Sequence, residues 1–165
     1  MTPPFALAIR RATVDDIELV HTFVIDLAEY ERLSHMVIAT RESLRDALFG
    51  EHPGAEVLLA FEGDVPVGFA VYFHNFSTFL GVKGVWLEDI YVKPAHRRNG
   101  YGRQLLRYVA GIAVDRGCGR FEWSALDWNA PAVAFYRSLG AEQMDQWTTF
   151  RVTGAALARL AGADG

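Results

Sequence analysis

The sequence contains few of the features that mark secreted, membrane-spanning or metal-binding proteins. A single cysteine, Cys118, among 165 residues excludes a disulfide framework and a cysteine-rich metal site. No apolar run approaches the roughly 18 residues that a membrane helix needs. The first residues lack the basic segment and apolar stretch of a signal peptide. The five histidines show no metal-ligand spacing. We therefore expect a cytoplasmic protein that binds no metal and no membrane.

A surplus of positive charge is also missing. The chain has 16 Lys and Arg residues against 20 Asp and Glu residues, a net charge of −4. Because nucleic-acid-binding proteins usually carry a basic surplus, we expect no nucleic-acid partner. The mild acidic excess suits a cationic substrate, but an ordinary soluble surface explains it equally well. The length and the hydrophobic content of 51% predict one globular domain over residues 1–165.

The hydrophobic periodicity predicts a mixture of strands and helices. Strands are expected over residues 6–11, 57–62, 67–76, 85–92 and 120–126, with one or two more over 144–152. Helices are expected from Thr13, over 40–48, over 101–116, after a cap at Asn129, and from Thr153. This order predicts an α/β fold with a mixed sheet.

The strongest chemical signal lies between a predicted strand and a predicted helix. It consists of Arg97, Arg98, Asn99, Gly100, Tyr101 and Gly102. The first turn of a helix offers backbone N–H groups without internal partners and a partial positive charge, and glycine lets a phosphate approach closely. The segment therefore predicts a pyrophosphate site, although a solvated surface turn explains it as well. It matches neither a nucleotide P-loop nor the dinucleotide fingerprint.

Two segments carry motifs of a known protein family. The first runs from Leu87 to Val92 and continues through Pro94 to the Arg97-x-x-Gly100-x-Gly102 pattern. The second runs over 127–141 and combines Trp-Asn-x-Pro-Ala with Phe-Tyr and Gly-Ala. Both segments resemble the acyl-CoA-binding core of the GNAT acetyltransferases. Residues 27–31 and 49–53 are similar to the diamine acetyltransferase subfamily, which acetylates spermidine, spermine and related amines. The resemblance covers nearly the whole chain and implies a GNAT-like central mixed sheet, flanked by helices, in which a splay between two parallel strands holds acetyl-CoA.

The resemblance also implies individual roles. The backbone of Ile90, Tyr91 and Val92 would hold the pantetheine arm of acetyl-CoA. Residues near the pyrophosphate or elsewhere on the cofactor would be Arg97, Arg98, Asn99, Gly100, Tyr101, Gly102, Arg103 and Asn129. Positions that match the amine-lining residues are Tyr30, Glu31, Glu88, Glu122, Trp123, Ser124 and Asp145. The chain departs from the subfamily at Arg98 and Asn99, since its better-known members carry glycine and another residue there.

Two side chains are candidates for catalysis. An alkyl ammonium with a pKa near 10.4 is neutral in only about one molecule in 2,500 at pH 7, so a base must remove a proton before the amine attacks a thioester. Glu88 is the candidate base, and a purely electrostatic role in holding the cation is equally open. Tyr136 matches the family tyrosine near the CoA sulfur and would donate a hydrogen bond to it, acting as a general acid only if its pKa is lowered.

Three functions are compatible with these residues. The first is direct acetyl transfer from acetyl-CoA to a small di- or polyamine, or to a thialysine-like amine, in a ternary complex. The second is acetylation of a peptide or protein amine, and the third is a non-catalytic module that senses acetyl-CoA. Because the resembling subfamily completes its site across a two-fold dimer, we expect a homodimer.

Overall fold

The computed structural model describes residues 6–163, which form two compact units. The first unit ends at Ser124 and contains the sheet, and the second begins at Ala125 and contains the last two helices. The single domain expected for the whole chain stays a prediction. Residues 1–5, which carry most of the segment that led us to expect no signal peptide, lie outside the described part of the chain.

The first unit is a five-stranded sheet with helices. Its elements in chain order are β1 (Leu7–Arg11), α1 (Ile17–Tyr30), α2 (Arg41–Phe49), β2 (Glu56–Glu62), β3 (Val65–Ser77), β4 (Val82–Val92), α3 (Tyr101–Asp115) and β5 (Phe121–Trp123). The strands lie side by side in sequence order, antiparallel except for the parallel pair β4–β5. The expected mixed sheet flanked by helices is confirmed, although β5 is shorter than the strand predicted over 120–126.

The helix starts follow the capping residues of the sequence. Thr13 and Asp16 form a capping box, in which the Thr13 backbone N–H donates to the Asp16 carboxylate at 2.7 Å. The first turn after Thr13, Val14–Asp16, is a 3-10 helix, and α1 follows it. Thr40 caps α2 by accepting a hydrogen bond from the Ser43 backbone N–H. Both predicted starts are confirmed.

One face of the sheet packs against α1. Val20, Phe23 and Leu27 lie one or two helical turns apart and are buried. They contact the side chains that alternate residues of β2, β3 and β4 present to this face: Val57, Leu59, Phe69, Val71 and Tyr91. The Phe23 and Phe69 rings stack with their centres 5.2 Å apart. Burying one such side chain stabilises the fold by about 1.5–3 kcal/mol.

The α3 helix is fastened to β2 at both of its ends. Arg116, which follows the last turn of α3, forms a bidentate ion pair with Glu56. Its Nη2 donates to Oε1 of Glu56 at 2.9 Å. Tyr101, the first residue of α3, donates its hydroxyl hydrogen to Glu62 at 2.8 Å. Glu56 and Glu62 alternate with Val57 and Leu59 along β2, so α3 lies on the face opposite α1. The start of α3 is thereby held at the end of β2.

The second unit contains α4 (Ala130–Ser138) and α5 (Gly154–Leu160). The predicted cap at Asn129 is confirmed, since its side chain accepts a hydrogen bond from the Ala132 backbone N–H. Gly140 has a φ of 88° just after α4, as expected for a helix-ending glycine. The strands predicted over 144–152 are wrong. Within residues 6–163 this segment has a turn and no strand partner, and a segment does not form a strand unless a neighbour pairs with its backbone.

Candidate acetyl-transfer site

The parallel strands β4 and β5 pair over only three residues. Their register ends at Leu87 and Trp123, whereas β4 continues to Val92 and stays paired with β3 as far as Gly68. From Glu88 onward, the β5-facing edge of β4 therefore has no strand partner among residues 6–163. Ile90, Tyr91 and Val92 belong to this stretch. Its backbone groups that face away from β3, apart from the Val92 carbonyl oxygen bound by Arg97, can hydrogen-bond a ligand that lies along the edge.

A β-bulge lies at the start of this free edge. On β3 the neighbours Val71 and Tyr72 face Asp89 and Leu87 of β4, so Glu88 is the extra residue without a register partner. The bulge breaks the strict alternation of the two faces, which allows neighbouring carboxylates to approach the same region. Glu88 is exposed, and the Trp86 indole N–H donates to its carboxylate at 3.1 Å.

Asp89 is the most perturbed carboxyl group of the site, and it was not among the site residues predicted from the sequence. Burial raises its pKa to about 7, and the nearby Glu88 and Glu31 carboxylates add to the rise. Burial also raises the pKa of Glu31, which directly follows α1. The Glu31 and Glu88 carboxylates thus lie near enough to Asp89 to act on its pKa, and these three residues are called the acidic cluster below. The bulge at Glu88 has no signal in the sequence.

The glycine-containing segment before α3 leaves room for an anion. Arg98 and Gly100 have left-handed backbones, with φ values of 68° and 78°. Gly100 is the N-cap of α3 and supplies no side chain to the N–H groups of the first turn. Gly102 is helical, and apart from its chain neighbours and the backbone of its own helix no protein atom lies within 4 Å of where a Cβ would stand. The fold itself does not require glycine at 102, so the open space suits the close approach of a phosphate. Residues 97–100 are called the cradle below.

Arg97 directs its side chain toward α1 and β4. Its Nε donates to the Val92 carbonyl oxygen at 2.8 Å. Its guanidinium carbon lies 4.4 Å from the centre of the Tyr30 ring and 5.5 Å from that of the Tyr91 ring, within cation–π distance. The side chain thus connects the cradle to the end of α1, where Tyr30 and Glu31 lie. Arg98, Asn99 and Gly100 are exposed.

The other predicted amine-lining residues of the first unit are less available to bind an amine. The Glu122 carboxylate pairs with Arg120 at 2.8 Å and accepts a hydrogen bond from the Asn75 amide at 3.2 Å. These contacts reduce its capacity to hold a second cation. The Trp123 ring packs 4.9 Å from that of Phe121, and Ser124 is exposed at the end of the unit.

Three predicted site residues belong to the second unit. Asn129 caps α4, and Tyr136 lies half-buried in the second turn of that helix, its ring 5.5 Å from that of Phe135. Asp145 is exposed in a turn. Arg103, by contrast, lies in the first unit, in the opening turn of α3.

The described residues offer neither a metal cluster nor a helix suited to a bilayer. Within residues 6–163, no three His, Cys, Asp or Glu side chains converge in a way that could hold a metal ion. None of the helices in this described part of the chain has the length and apolar character needed to span a membrane.

Comparison with known proteins identifies the family. The chain is 38% identical to the thialysine N-epsilon-acetyltransferase of Sus scrofa over 95% of its length and 98% of the relative. It is 30% identical to a human spermidine/spermine N(1)-acetyltransferase-like protein 1, covering 87% of this chain and 22% of that longer protein. A solved integron cassette protein from the V. cholerae mobile metagenome has a TM-score of 0.79 and 30% identity, with 98% of each chain covered. The profile of the acetyltransferase (GNAT) family matches residues 21–141, and the chain therefore belongs to this family and is an amine N-acetyltransferase.

Proposed function

We propose that the chain transfers the acetyl group of acetyl-CoA directly to the primary amine of a small di- or polyamine or of a thialysine-like amino acid. The observation that carries the proposal is the acidic cluster of Glu31, Glu88 and Asp89 beside the free edge of β4. Carboxyl groups near enough to raise the pKa of Asp89 attract a cationic amine, and the edge offers backbone groups to an extended cosubstrate. The similarity to thialysine and polyamine acetyltransferases supports the same substrate class.

Acetyl-CoA supplies the acetyl group as a thioester. The residues that would hold it are the β4 edge, through Ile90, Tyr91 and Val92, and the cradle with the first turn of α3. The open space at Gly102 and the left-handed backbone at Gly100 fit a pyrophosphate held by N–H groups. The Arg98 side chain, exposed beside this turn, adds a positive charge. Arg103 and Asn129 are proposed to contact the same cosubstrate.

The carboxyl groups have two tasks in the proposed reaction. Glu31 and Glu88 hold the ammonium group, and Tyr30, which directly precedes Glu31, lines the same amine site. A proton must then leave the amine nitrogen, directly or through water, before the nitrogen can attack the thioester carbon. Asp89 joins Glu88 as a proton acceptor, because a pKa of about 7 suits a base that works near neutral pH. A C–N bond forms, the C–S bond breaks, and the CoA sulfur leaves as a thiolate.

Tyr136 is proposed to donate a hydrogen bond to the departing sulfur. A tyrosine pKa near 10 and a thiol pKa near 8.5 make complete proton transfer uphill by about 2 kcal/mol, so hydrogen bonding is its minimal role. Glu122, Trp123, Ser124 and Asp145 remain proposed amine-lining residues. The intramolecular pairing of Glu122 makes its contribution the weakest of the carboxylates.

The proposal is tested by a thiol-release assay with acetyl-CoA and a panel of amines. The panel contains spermidine, spermine, putrescine, thialysine, lysine and a short peptide, and it is run with the wild type and Tyr136→Phe. We expect turnover with a small amine and a kcat at least tenfold lower in the variant, with little change in the KM of acetyl-CoA. Turnover with the peptide alone would favour a protein substrate. Tight binding of acetyl-CoA without turnover would favour a sensing module.

We also propose a homodimer. The end of β3 and its connection to β4 expose apolar side chains, including Phe76 at 63% and Phe79 at 99% exposure, in a position that a second copy could cover. Light scattering of the purified chain at micromolar concentration tests this, and a mass near 18.4 kDa would contradict it. The cytoplasmic location and the lack of a nucleic-acid partner stay predictions.

A further inference from the structure

Glu62, the last residue of β2, binds two residues that flank the cradle. One carboxylate oxygen, Oε2, accepts the Tyr101 hydroxyl hydrogen at 2.8 Å and lies 3.1 Å from Nδ1 of His96. Because a carboxylate only accepts hydrogen bonds, the His96 ring nitrogen must donate. These two partners lower the pKa of Glu62, so the group is ionised at neutral pH.

The two partners enclose the cradle in the sequence. His96 directly precedes Arg97, and Tyr101 directly follows Gly100. Tyr101 is 1% exposed and packed in the core, so its hydroxyl group is a fixed point. His96 lies at the end of a single 3-10 turn, Pro94–His96, which has no buried residues of its own. The contact of its side chain with Glu62 therefore holds the residue before the cradle at the same carboxylate that the Tyr101 hydroxyl group binds.

The cradle needs such support because its backbone is unfavourable. Two of its four residues have left-handed φ values, and one of these is Arg98, whose Cβ makes this conformation unfavourable. A loop of this kind relaxes unless its surroundings hold it. Ordering the loop at the moment of binding would reduce affinity, whereas a loop that is already ordered avoids that cost.

We propose that Glu62 is a positioning residue that preorganises the cradle for the pyrophosphate of acetyl-CoA through its shared hydrogen bonds with His96 and Tyr101. This inference rests on the proposed function. It assigns a role to a residue of the β2–β3 hairpin, outside both segments that resemble the acyl-CoA-binding core. Glu62 itself does not contact the cosubstrate in this proposal, because its carboxylate is occupied by the two internal donors.

The test compares Glu62→Gln with Tyr101→Phe and with a matched control, Asp64→Asn. Asp64 lies in the turn of the same hairpin, so its variant makes the same change of charge two residues away. Acetyl-CoA affinity is measured by calorimetry, together with kcat and the KM of the amine. We expect Glu62→Gln to raise the Kd of acetyl-CoA about fivefold or more while the amine KM changes less than about twofold. Asp64→Asn should match the wild type.

Two further readouts separate positioning from a general loss of stability. Amide hydrogen exchange should accelerate at residues 97–102 in Glu62→Gln, and exchange in β2 and β3 should not. Tyr101→Phe keeps the buried ring and removes only the hydroxyl group, so it should raise the Kd in the same direction. The double variant should bind about as weakly as Glu62→Gln alone, because both changes remove one shared contact.

The outcomes distinguish this inference from the function on which it rests. If the wild type binds acetyl-CoA and Glu62→Gln binds it equally well while folded, the positioning role is wrong and the proposed function stands. A lower melting temperature with an unchanged Kd leads to the same conclusion. If the folded wild type does not bind acetyl-CoA at all, both proposals fail together.

Discussion

The guanidinium group of Arg97 lies 4.4 Å from the centre of the Tyr30 ring and so joins the cradle to the end of α1. The same side chain donates to the Val92 carbonyl oxygen at the end of β4. One residue of the pyrophosphate-binding pattern thus contacts a residue proposed to line the amine site. Glu31 follows Tyr30 directly, so the contact made by Arg97 lies one residue from the acidic cluster.

Arg97→Lys tests this connection. Lysine keeps the charge but cannot reproduce the planar stacking and the Nε hydrogen bond of arginine. We expect the free energy of unfolding to fall by about 1 kcal/mol and the KM of the amine to rise about three- to tenfold. Arg107→Lys, at an exposed position of α3, is the control. An unchanged amine KM in Arg97→Lys would show that the stacking serves stability alone.

Gly102→Ala separates the requirement of the ligand from that of the fold. Gly102 and Gly111 are both helical residues of α3, and a Cβ at either position meets no protein atom within 4 Å beyond its chain neighbours and its own helix backbone. Alanine at each should stabilise the protein by about 0.5–1 kcal/mol, because glycine is unfavourable inside a helix. Only Gly102→Ala should weaken acetyl-CoA binding, by about tenfold or more, since its methyl group occupies the space assigned to the phosphate.

Urea unfolding and calorimetry measure the two effects in the same pair of variants. If Gly102→Ala and Gly111→Ala bind acetyl-CoA equally well, the pyrophosphate does not lie against the first turn of α3. The pair is informative because both glycines are helical residues of α3 with open space at the Cβ position, and only Gly102 lies beside the cradle.

Arg98→Gly should change affinity and stability in opposite directions. Arg98 has a φ of 68°, which favours glycine, so the substitution should raise the free energy of unfolding by up to about 1 kcal/mol. It also removes an exposed positive charge beside the proposed phosphate site, so the Kd of acetyl-CoA should rise about three- to tenfold at low salt and less at high salt.

Two controls accompany this variant. Arg98→Lys keeps the charge and the unfavourable backbone, so its affinity should stay close to that of the wild type. Arg32 also has a left-handed backbone, with a φ of 62° just after α1, and Arg32→Gly should leave acetyl-CoA affinity unchanged. Equal affinity in Arg98→Gly and the wild type would exclude a role for the side chain.

The parts of the structure that short sequence patterns determine were predictable. Thr40, Asn129 and Gly140 occupy helix ends because their side chains or backbone preferences suit those positions locally. The position of the cradle before α3 was predictable as well, because it depends on the local pattern of arginine and glycine residues between a strand and a helix. The family resemblance adds the splay of β4 and β5, since no local pattern shows where two parallel strands separate.

The parts that depend on distant residues were not predictable. The bulge at Glu88 is a register shift against β3, and neither strand alone reveals it. The pairing of Glu122 with Arg120 and Asn75 weakens a residue that the resemblance placed at the amine site. The partners of Glu62 lie 34 and 39 residues away, so this contact emerges only when the sheet and α3 are assembled.

The raised pKa of Asp89 predicts a specific pH dependence of stability. The folded chain keeps a proton on this carboxyl group up to about pH 7, whereas the unfolded chain releases it near pH 4. The group therefore lowers stability progressively as the pH rises from about 4 to 7. Because an asparagine side chain cannot ionise, Asp89→Asn should lose this slope and be more stable than the wild type at pH 8, by about 1–2 kcal/mol after solvent screening. Urea unfolding between pH 4 and pH 8, with Asp64→Asn as control, measures the difference.

The same carboxyl group should release a proton when the amine binds. A cation beside Glu31 and Glu88 lowers the pKa of Asp89, and at pH 7 about half of the molecules carry the proton that is then lost. Calorimetry in phosphate and in Tris, whose ionisation enthalpies differ, should show release of about 0.5 proton per amine bound by the wild type and none by Asp89→Asn. Equal proton release in both proteins would show that another group titrates. Asp89 would then not act with Glu88 as a proton acceptor. Loss of release together with a tenfold fall in kcat would support Asp89 as a proton acceptor beside Glu88.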